Sequence, residues 1–323
     1  MPETYATYKT LTLSELAQEE PPPYIVDGFL RKHTITLLSS EPHVGKTMLM
    51  LDLMLCMETR AKFLKTFDVP IAASSIFIAL DSPKWDIAGQ LKKLALGHGI
   101  DPLDMAMWDS RILTRKEARL TIFDAKVLDW LKDIRSTGID VLFIDTHRRI
   151  HTANENDSGE MSAVMNQIER FVDVLGFTVV ISTHVGKPMG VDRSVNYQVR
   201  GSTVISGSID YHYSLKAGKN DTIIVNGVSK RRGESKGSGD VHLKFTDHPG
   251  GALTIDPLPS SQNEAEAALI EVLSNGPMTK AEAGLASGLS YWKVQKALTN
   301  LLAANRIRQR EDKKWELSSS LLV

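Results

Sequence analysis

Residues 34–47 read Thr-Ile-Thr-Leu-Leu-Ser-Ser-Glu-Pro-His-Val-Gly-Lys-Thr, and the interpretation of the chain starts from this stretch. Its first part is apolar and β-branched, which favours a buried strand. The loop that follows ends in Gly-Lys-Thr and leads into the apolar run 48–55, which favours a helix. This order predicts a loop that wraps a phosphate chain, because the first N–H groups of a helix have no intrahelical partner and attract anions.

The P-loop interpretation gives specific roles to the residues around the Gly-Lys-Thr sequence. Lys46 is expected to bring positive charge to the β and γ phosphates of ATP, and the Thr47 hydroxyl to ligate Mg²⁺. The strict pattern has Gly where this chain has Ser40, so the loop contains one fewer residue that tolerates positive φ. The expected nucleotide-binding residues are Ser40, Glu41, Pro42, His43, Val44, Gly45, Lys46, Thr47 and Met48.

Three polar side chains follow apolar strands and are expected near the phosphates. Asp145 would complete the Mg²⁺ site with Thr47, although an ordinary strand-end carboxylate is the alternative. Asp81 would orient the attacking water; RecA-like ATPases usually carry Glu at this point, which is one methylene longer. His184 would sense the γ-phosphate, with a plain strand-end histidine as the alternative.

Two basic groups further along the chain are expected to act on the nucleotide of a neighbouring subunit. In a RecA-like strand order, Arg200 and the run 230–232 do not easily reach the P-loop of their own chain. Arg200, Lys230 and Arg232 would then neutralise developing charge in trans, as arginine fingers do. The alternative is that these groups are ordinary exposed loop residues.

Residues 186–199 form a long, moderately basic, Gly-containing segment directly after His184. A segment coupled to the γ-phosphate and facing a ring pore would suit single-stranded DNA. Lys187 and Arg193 would contact phosphates, and Tyr197 would stack on a base. A surface loop without a nucleic-acid role is an equally good interpretation.

Composition restricts the class of protein only broadly. The chain has 323 residues, 42% of them hydrophobic and 24% charged, which is ordinary for a globular protein. Its net charge of −1 gives no overall nucleic-acid signature, so any basic surface must be local. The single cysteine, Cys56, excludes an intrachain disulfide and is expected to be a buried core thiol, and the lack of ligands in a recognisable spacing argues against zinc chemistry. Without a leader-like or membrane-spanning segment, a cytoplasmic protein with no membrane partner is expected.

Short apolar strands, among them 141–144 and 177–182, alternate with amphipathic helices along most of the chain. This pattern predicts an α/β fold with a RecA-like P-loop core and a mostly parallel sheet. Residues 202–228 and 241–255 are expected to form β-hairpins. The predicted divisions are an N-terminal arm (1–23), the ATPase domain (24–248), a Pro/Gly/Ser-rich linker (249–263) and a small C-terminal domain (264–323).

The C-terminal segment has the element order of a winged helix. Three helices are followed by a short hairpin, and basic residues occur on the third helix and the hairpin. The sequence Thr279-Lys-Ala-Glu resembles a capping box that opens the second of these helices. Contact with duplex DNA is one interpretation, and docking of a protein partner is the other. The expected nucleic-acid contacts are Lys293, Lys296, Arg308 and Arg310.

Residues 22–235 resemble the RepA-type replicative helicases of broad-host-range plasmids, a branch of the RecA/DnaB-like ATPases. The Asp-Thr-x-Arg-Arg and Glu-Asn-x-Ser-Gly segments are the most specific part of this resemblance. It implies a homohexameric ring, ATP with Mg²⁺, and movement along single-stranded DNA. In chain order, it rests on Leu38-Ser-Ser-Glu-Pro-His-Val-Gly-Lys-Thr, Asp81-Ser-Pro, Ile144-Asp-Thr-His-Arg-Arg-Ile-His, Glu155-Asn-Asp-Ser-Gly-Glu-Met, His184 with Gly186-Lys187, Val199-Arg-Gly-Ser and Val228-Ser-Lys.

Two functions follow as hypotheses from these patterns. The first is a ring-forming, ATP-dependent motor that acts on DNA, a replicative helicase of a plasmid, phage or other mobile element. The second is a regulator that does not translocate, in which ATP binding sets the oligomeric state and the C-terminal domain binds DNA or a partner protein. The Mg²⁺ pair and the in-trans residues favour the motor, whereas Asp81 and the Gly-poor loop favour the regulator.

Overall fold

A computed structural model describes residues 10–114, 121–155, 157–185, 202–218, 222–229, 241–258, 261–303 and 306–318. The strands are β1 (Tyr24–Val26), β2 (Leu30–Arg31), β3 (Ile35–Ser40), β4 (Ser75–Ala79), β5 (Arg111–Thr114), β6 (Val141–Asp145), β7 (Thr178–His184), β8 (Tyr211–Ala217), β9 (Thr222–Ser229), β10 (Val241–Asp247), β11 (Leu253–Leu258), β12 (Ile307–Gln309) and β13 (Trp315–Leu317). The α-helices are α1 (Leu13–Leu16), α2 (Lys46–Thr59), α3 (Lys84–Gly97), α4 (Ala125–Ser136), α5 (Ser158–Asp173), α6 (Ser202–Ser208), α7 (Ser261–Ser274), α8 (Lys280–Ser287) and α9 (Tyr291–Ala303).

The central sheet has the strand order β11-β10-β9-β8-β3-β7-β6-β4-β5. The strands from β8 to β5 run parallel, and β9, β10 and β11 extend the sheet in antiparallel fashion. This confirms the predicted α/β class with a mostly parallel sheet and a RecA-like P-loop core. Strand β3 lies inside the sheet between β7 and β8, so the loop that follows it opens at the carboxyl edge of the parallel strands.

Helix α2 is buried almost all round, and this is why its sequence shows no polar face. Ten of its fourteen residues are buried. The antiparallel extension contributes to the same core as the helix, through Leu243 of β10 and through Leu253 and Ile255 of β11. A helix that is apolar on every side needs such cover on every side. The opposite face of the sheet packs against α4 and α5, whose apolar stripes form a second core.

Two expectations about local structure are wrong. Residues 202–208 were expected in a β-hairpin but form helix α6, which packs on α5 and buries Ile205. Its β-branched composition favours a strand, and tertiary packing overrides that weak preference. Part of the expected linker 249–263 is strand β11, which pairs with β10 along its length, and α7 already begins at Ser261.

The C-terminal segment has its own apolar core. Helices α7, α8 and α9 pack together, and β12 pairs with β13 in an antiparallel hairpin, in the order expected from the sequence. Helix α8 begins with the expected capping box between Thr279 and Glu282. The buried side chains of this core include Leu269, Val294, Leu298, Leu301 and Ile307. None of the helices that the structure describes combines the length and apolar character that crossing a bilayer requires.

Candidate nucleotide site

The loop between β3 and α2 has the backbone of a phosphate-binding loop. Ser40 is the last residue of β3, so it keeps strand geometry and does not need the conformational freedom of glycine. Positive φ occurs instead at His43 (64°) and Gly45 (105°). A Cβ at Gly45 would lie 2.5 Å from the Phe245 ring of β10, so this position requires glycine for both conformation and space.

Lys46 is held at the centre of this loop. Its side chain is buried, with 6% exposed, and its Nζ donates to Ser40 Oγ at 2.7 Å and to the Glu41 carbonyl at 3.4 Å. Burial lowers the pKa of Lys46 to about 8, although the nearby Asp145 and Asp81 carboxylates act in the opposite direction. Ser40 therefore replaces glycine with a hydroxyl that positions the Lys46 ammonium.

Thr47 and Asp145 form a compact oxygen pair beside the loop. The Thr47 hydroxyl donates to Asp145 Oδ2 at 2.6 Å, and the Ser182 hydroxyl of β7 donates to Asp145 Oδ1. Asp145 is buried at the carboxyl end of β6. A hydroxyl and a carboxylate are hard oxygen donors of the kind Mg²⁺ prefers, so Thr47 and Asp145 are the residues that would hold this ion.

His184 connects the P-loop to Asp81. In the parallel pairing of β3 with β7, His184 lies opposite Ser40. Its Nδ1 is 3.2 Å from Lys46 Nζ and its Nε2 is 4.0 Å from Asp81 Oδ2. Because an ammonium only donates, Nδ1 accepts, and the ring proton of the neutral imidazole lies on Nε2, towards Asp81. Burial and the charge of Lys46 lower the pKa of His184, which keeps the ring neutral at pH 7.

Asp81 is anchored by an arginine for which the sequence analysis proposed no role. Arg149 Nε donates to Asp81 Oδ1 at 2.9 Å. Arg149 belongs to the Asp-Thr-x-Arg-Arg segment, so the motif itself was the available signal. Ser182 was also missed; its signal was a hydroxyl at the polar end of β7, directly before Thr183 and His184. The structure thus brings Lys46, Thr47, Asp145 and His184 together with Asp81 at one edge of the sheet.

Several expected site residues lie outside the described residues. These are the in-trans candidates Arg200, Lys230 and Arg232 and the single-strand candidates Lys187, Arg193 and Tyr197. In the C-terminal segment, Lys293 and Lys296 are exposed on α9. Both arginines of the hairpin contact Glu316, with Arg308 Nε at 2.7 Å and an Arg310 guanidinium nitrogen at 3.4 Å.

A P-loop between a central parallel strand and a buried helix, with Lys46, Thr47 and Asp145 in contact range, defines the class of P-loop nucleotide-binding proteins. Residues 2–190, more than half of the chain, match the AAA domain family. The chain belongs to this family. A nucleotide-dependent ATPase is therefore the activity that the fold, the site and the family together support.

Proposed function

We propose that the protein is a ring-forming ATPase motor of the RepA type, which moves along single-stranded DNA. The observation that carries the proposal is the contact series from Lys46 through His184 to Asp81. It joins the residue that would bind the γ-phosphate to the strand end that leads directly into segment 186–199. A motor needs such a link between the state of the nucleotide and a polymer-binding segment.

In the proposed reaction, the chain's own residues position ATP and the water. Backbone N–H groups at the start of α2 and the Lys46 ammonium hold the phosphates. Thr47 and Asp145 would hold Mg²⁺, which neutralises charge on the β- and γ-phosphates when bound. Asp81 would accept a hydrogen bond from the attacking water, and the contact from Arg149 fixes the direction of its carboxylate.

The γ-phosphate would compete with His184 for Lys46, because the Lys46 ammonium contacts His184 and is the group expected to bind that phosphate. When Lys46 turns to the phosphate, His184 loses its partner at 3.2 Å, and its ring is free to reorient. The segment that contains Lys187, Arg193 and Tyr197 begins two residues later along the chain. In a hexameric ring, Arg200, Lys230 and Arg232 would complete the site of the adjacent subunit.

A second candidate function is a nucleotide-gated regulator whose C-terminal domain, expected to be a winged helix, binds duplex DNA or a protein partner. The specific observation is an aromatic surface at the start of α9. Tyr291 is 65% exposed and Trp292 is 78% exposed, with the exposed Lys293 and Lys296 following. The two arginines of the hairpin form ion pairs with Glu316, which partly neutralises their charge. The α9 surface is therefore the stronger candidate for binding DNA or a protein partner.

The deciding experiment measures ATP hydrolysis by the purified chain with and without single-stranded DNA. The motor predicts strong DNA stimulation, which Lys46→Ala abolishes and the Lys187→Ala/Arg193→Ala double variant reduces. Lys92→Ala, at an exposed lysine on α3, is the matched control and should retain the stimulation. Particle mass with ATP should correspond to a closed ring, six chains if the resemblance extends to assembly.

The opposite result would favour the regulator. ATP binding without DNA-stimulated turnover, in both the natural chain and Asp81→Glu, would contradict the motor. Loss of duplex DNA or partner binding in Trp292→Ala, with nucleotide binding retained, would then support the second candidate.

A further inference from the structure

A second cluster of side chains that could ligate a metal lies where α2 meets the end of α3, away from the P-loop. Asp52 and Cys56 are four residues apart and so project from the same face of the helix. His98, the residue that caps α3, reaches the same place. The carboxylate oxygen, the thiol sulfur and the imidazole nitrogen all lie within 4.8 Å of one another.

The imidazole nitrogen of His98 is in contact range of the other two donor atoms. His98 Nε2 is 2.6 Å from Asp52 Oδ1 and 3.9 Å from Cys56 Sγ. Four-coordinate zinc with bond lengths of about 2.0–2.3 Å holds its ligand atoms roughly 3–4 Å apart, so small side-chain shifts would place a cation between these atoms. The ligands come from two packed helices, which limits how far they can spread.

Two members of the cluster, Asp52 and His98, lie at a cavity of about 290 Å³. Asp52 and His98 line it together with Lys62, Lys65 and the β11 residues Leu253, Thr254 and Ile255. Asp52 and Cys56 are buried, whereas the His98 side chain is partly exposed. The cavity thus offers an entry path and room for a water molecule as a fourth ligand.

The cluster is separate from the nucleotide site. Cys56 lies ten residues after Lys46 along a continuous helix, which corresponds to about 15 Å of axial distance. Neither Asp52 nor Cys56 is needed by the proposed ATPase chemistry. Asp52 contacts His98 and Cys56 packs in the apolar core, so the P-loop mechanism leaves both side chains available for a second site.

We propose that Asp52, Cys56 and His98 form a mononuclear binding site for a divalent transition metal of the Zn²⁺ class. An imidazole, a carboxylate and a cysteine sulfur that releases its proton on binding are the donor types that bind zinc, with the fourth position open to water. The site went undetected in the sequence because its ligands follow no zinc spacing: the first two are separated by one helical turn, and the third is 42 residues further on. Binding would join α2 to the end of α3 and stabilise the folded chain.

A second group of possible metal ligands in the described residues contains two histidines and fits a metal less well. His147 and His151 place their Nε2 atoms 3.1 Å apart, near Glu155. However, the Nδ1 atoms of both rings are buried without a partner among the described residues. Metal ligation at Nε2 would leave two buried N–H groups unsatisfied, whereas ligating histidines normally donate that proton. This pair therefore supplies the control for the experiment.

The test is a cobalt titration of the full chain after removal of metals with a chelator. Cys56 is the only cysteine in the sequence, so a sulfur-to-cobalt charge-transfer band would report this site alone. We expect one equivalent of Co²⁺ to produce the band and Zn²⁺ to displace it. Cys56→Ala should abolish the band, and His98→Gln and Asp52→Asn should weaken Co²⁺ binding by about 10-fold or more. His151→Gln should bind as the natural chain does.

Absence of the band in the natural chain would overturn the proposal, and so would an unchanged Co²⁺ affinity in both His98→Gln and Asp52→Asn. ATP binding measured on the same samples shows that each variant is folded. Because the band depends on no nucleotide, failure of the metal site and failure of the proposed motor are separate results.

Discussion

The two ends of helix α2 carry two kinds of site. At its N-terminus, the P-loop is made of consecutive residues, completed by side chains that follow neighbouring parallel strands. Along its later turns, Asp52 and Cys56 meet His98, which belongs to the end of another helix. The first site is visible in a linear motif, and the second exists only because α3 packs against α2. Comparison of the two shows which kinds of chemistry a sequence pattern reveals.

The antiparallel part of the sheet packs against both sites. Phe245 of β10 lies over Gly45 at the P-loop, and the Leu253 carbonyl of β11 lies over Gly97 beside the metal-binding candidate. At each contact there is no room for a Cβ. The antiparallel extension β9–β11 is therefore the element that supports both sites, although it supplies no phosphate ligand among the described residues.

The largest expected effect is the loss of ATP turnover when Lys46 is removed, and it tests whether the nucleotide site and the proposed metal site are independent. Lys46→Ala should reduce ATP turnover by about 100-fold or more, because the phosphates lose a buried, positioned cation. It should leave the cobalt band intact. Cys56→Ala should do the reverse, removing the band while retaining turnover. Loss of both readouts in either variant would mean that the two ends of α2 are not independent.

The next effect tests the closure of the cavity by β11. In Gly97→Ala, the new Cβ would lie 1.9 Å from the Leu253 carbonyl oxygen, so α3 and β11 must separate. We expect a loss of about 1–3 kcal/mol in the free energy of unfolding, measured by denaturant titration. Gly89→Ala is the matched control on the same helix, because its Cβ would meet nothing within 4 Å. Equal stability of the two variants would contradict the proposed packing.

A smaller effect concerns the buried histidines that follow Asp145. Burial lowers the pKa of His147 to about 3, and the pKa of His151 is also lowered. The unfolded chain, with ordinary histidine pKa values near 6.5, binds more protons between pH 6.5 and 3, so stability falls as the pH drops through this window. One histidine of this kind lowers the free energy of unfolding by about 1.5 kcal/mol between pH 6.5 and 5.

The His147→Leu/His151→Leu double variant should flatten this acid dependence, measured as unfolding free energy against pH. The pair is changed together so that neither imidazole is left facing an apolar side chain. Gly89→Ala, which changes no titratable group, should keep the natural slope. An unchanged slope in the double variant would show that these rings are protonated as readily in the folded chain as in the unfolded one.

The smallest effect is a proton taken up when ATP binds. The pKa of Lys46 is lowered to about 8, and a triphosphate nearby should raise it. At pH 8, Lys46 is about half protonated in the nucleotide-free chain, so ATP binding should take up about half a proton. Calorimetry in two buffers of different ionisation enthalpy measures this number. Asp52→Asn should show the same uptake, and zero uptake in the natural chain would contradict the lowered pKa.

Much of the fold followed from local patterns. The strands 141–144 and 177–182, the helix start at Thr279 and the hairpin near the C-terminus were expected close to where the structure has them. Hydrophobic periodicity and capping residues act within a few positions, so they can be detected in a single sequence. Strand β5 was missed because it is short and partly exposed. The β-hairpin expected over 241–255 is formed by β10 and β11, but the end of β11, residues 256–258, was assigned only to the linker because its Gly- and Pro-rich surroundings are typical of one.

By itself, the sequence determined the P-loop, its lysine, the Thr47–Asp145 pair and the strand ends that carry Asp81 and His184. Each of these depends on residues adjacent in the chain or on the rule that parallel strands end at one edge. Only the tertiary structure decided that Arg149 holds Asp81, that β10 and β11 cover α2, and that His98 meets Cys56. Those contacts join residues tens to hundreds of positions apart, and their energies come from packing that no local pattern records.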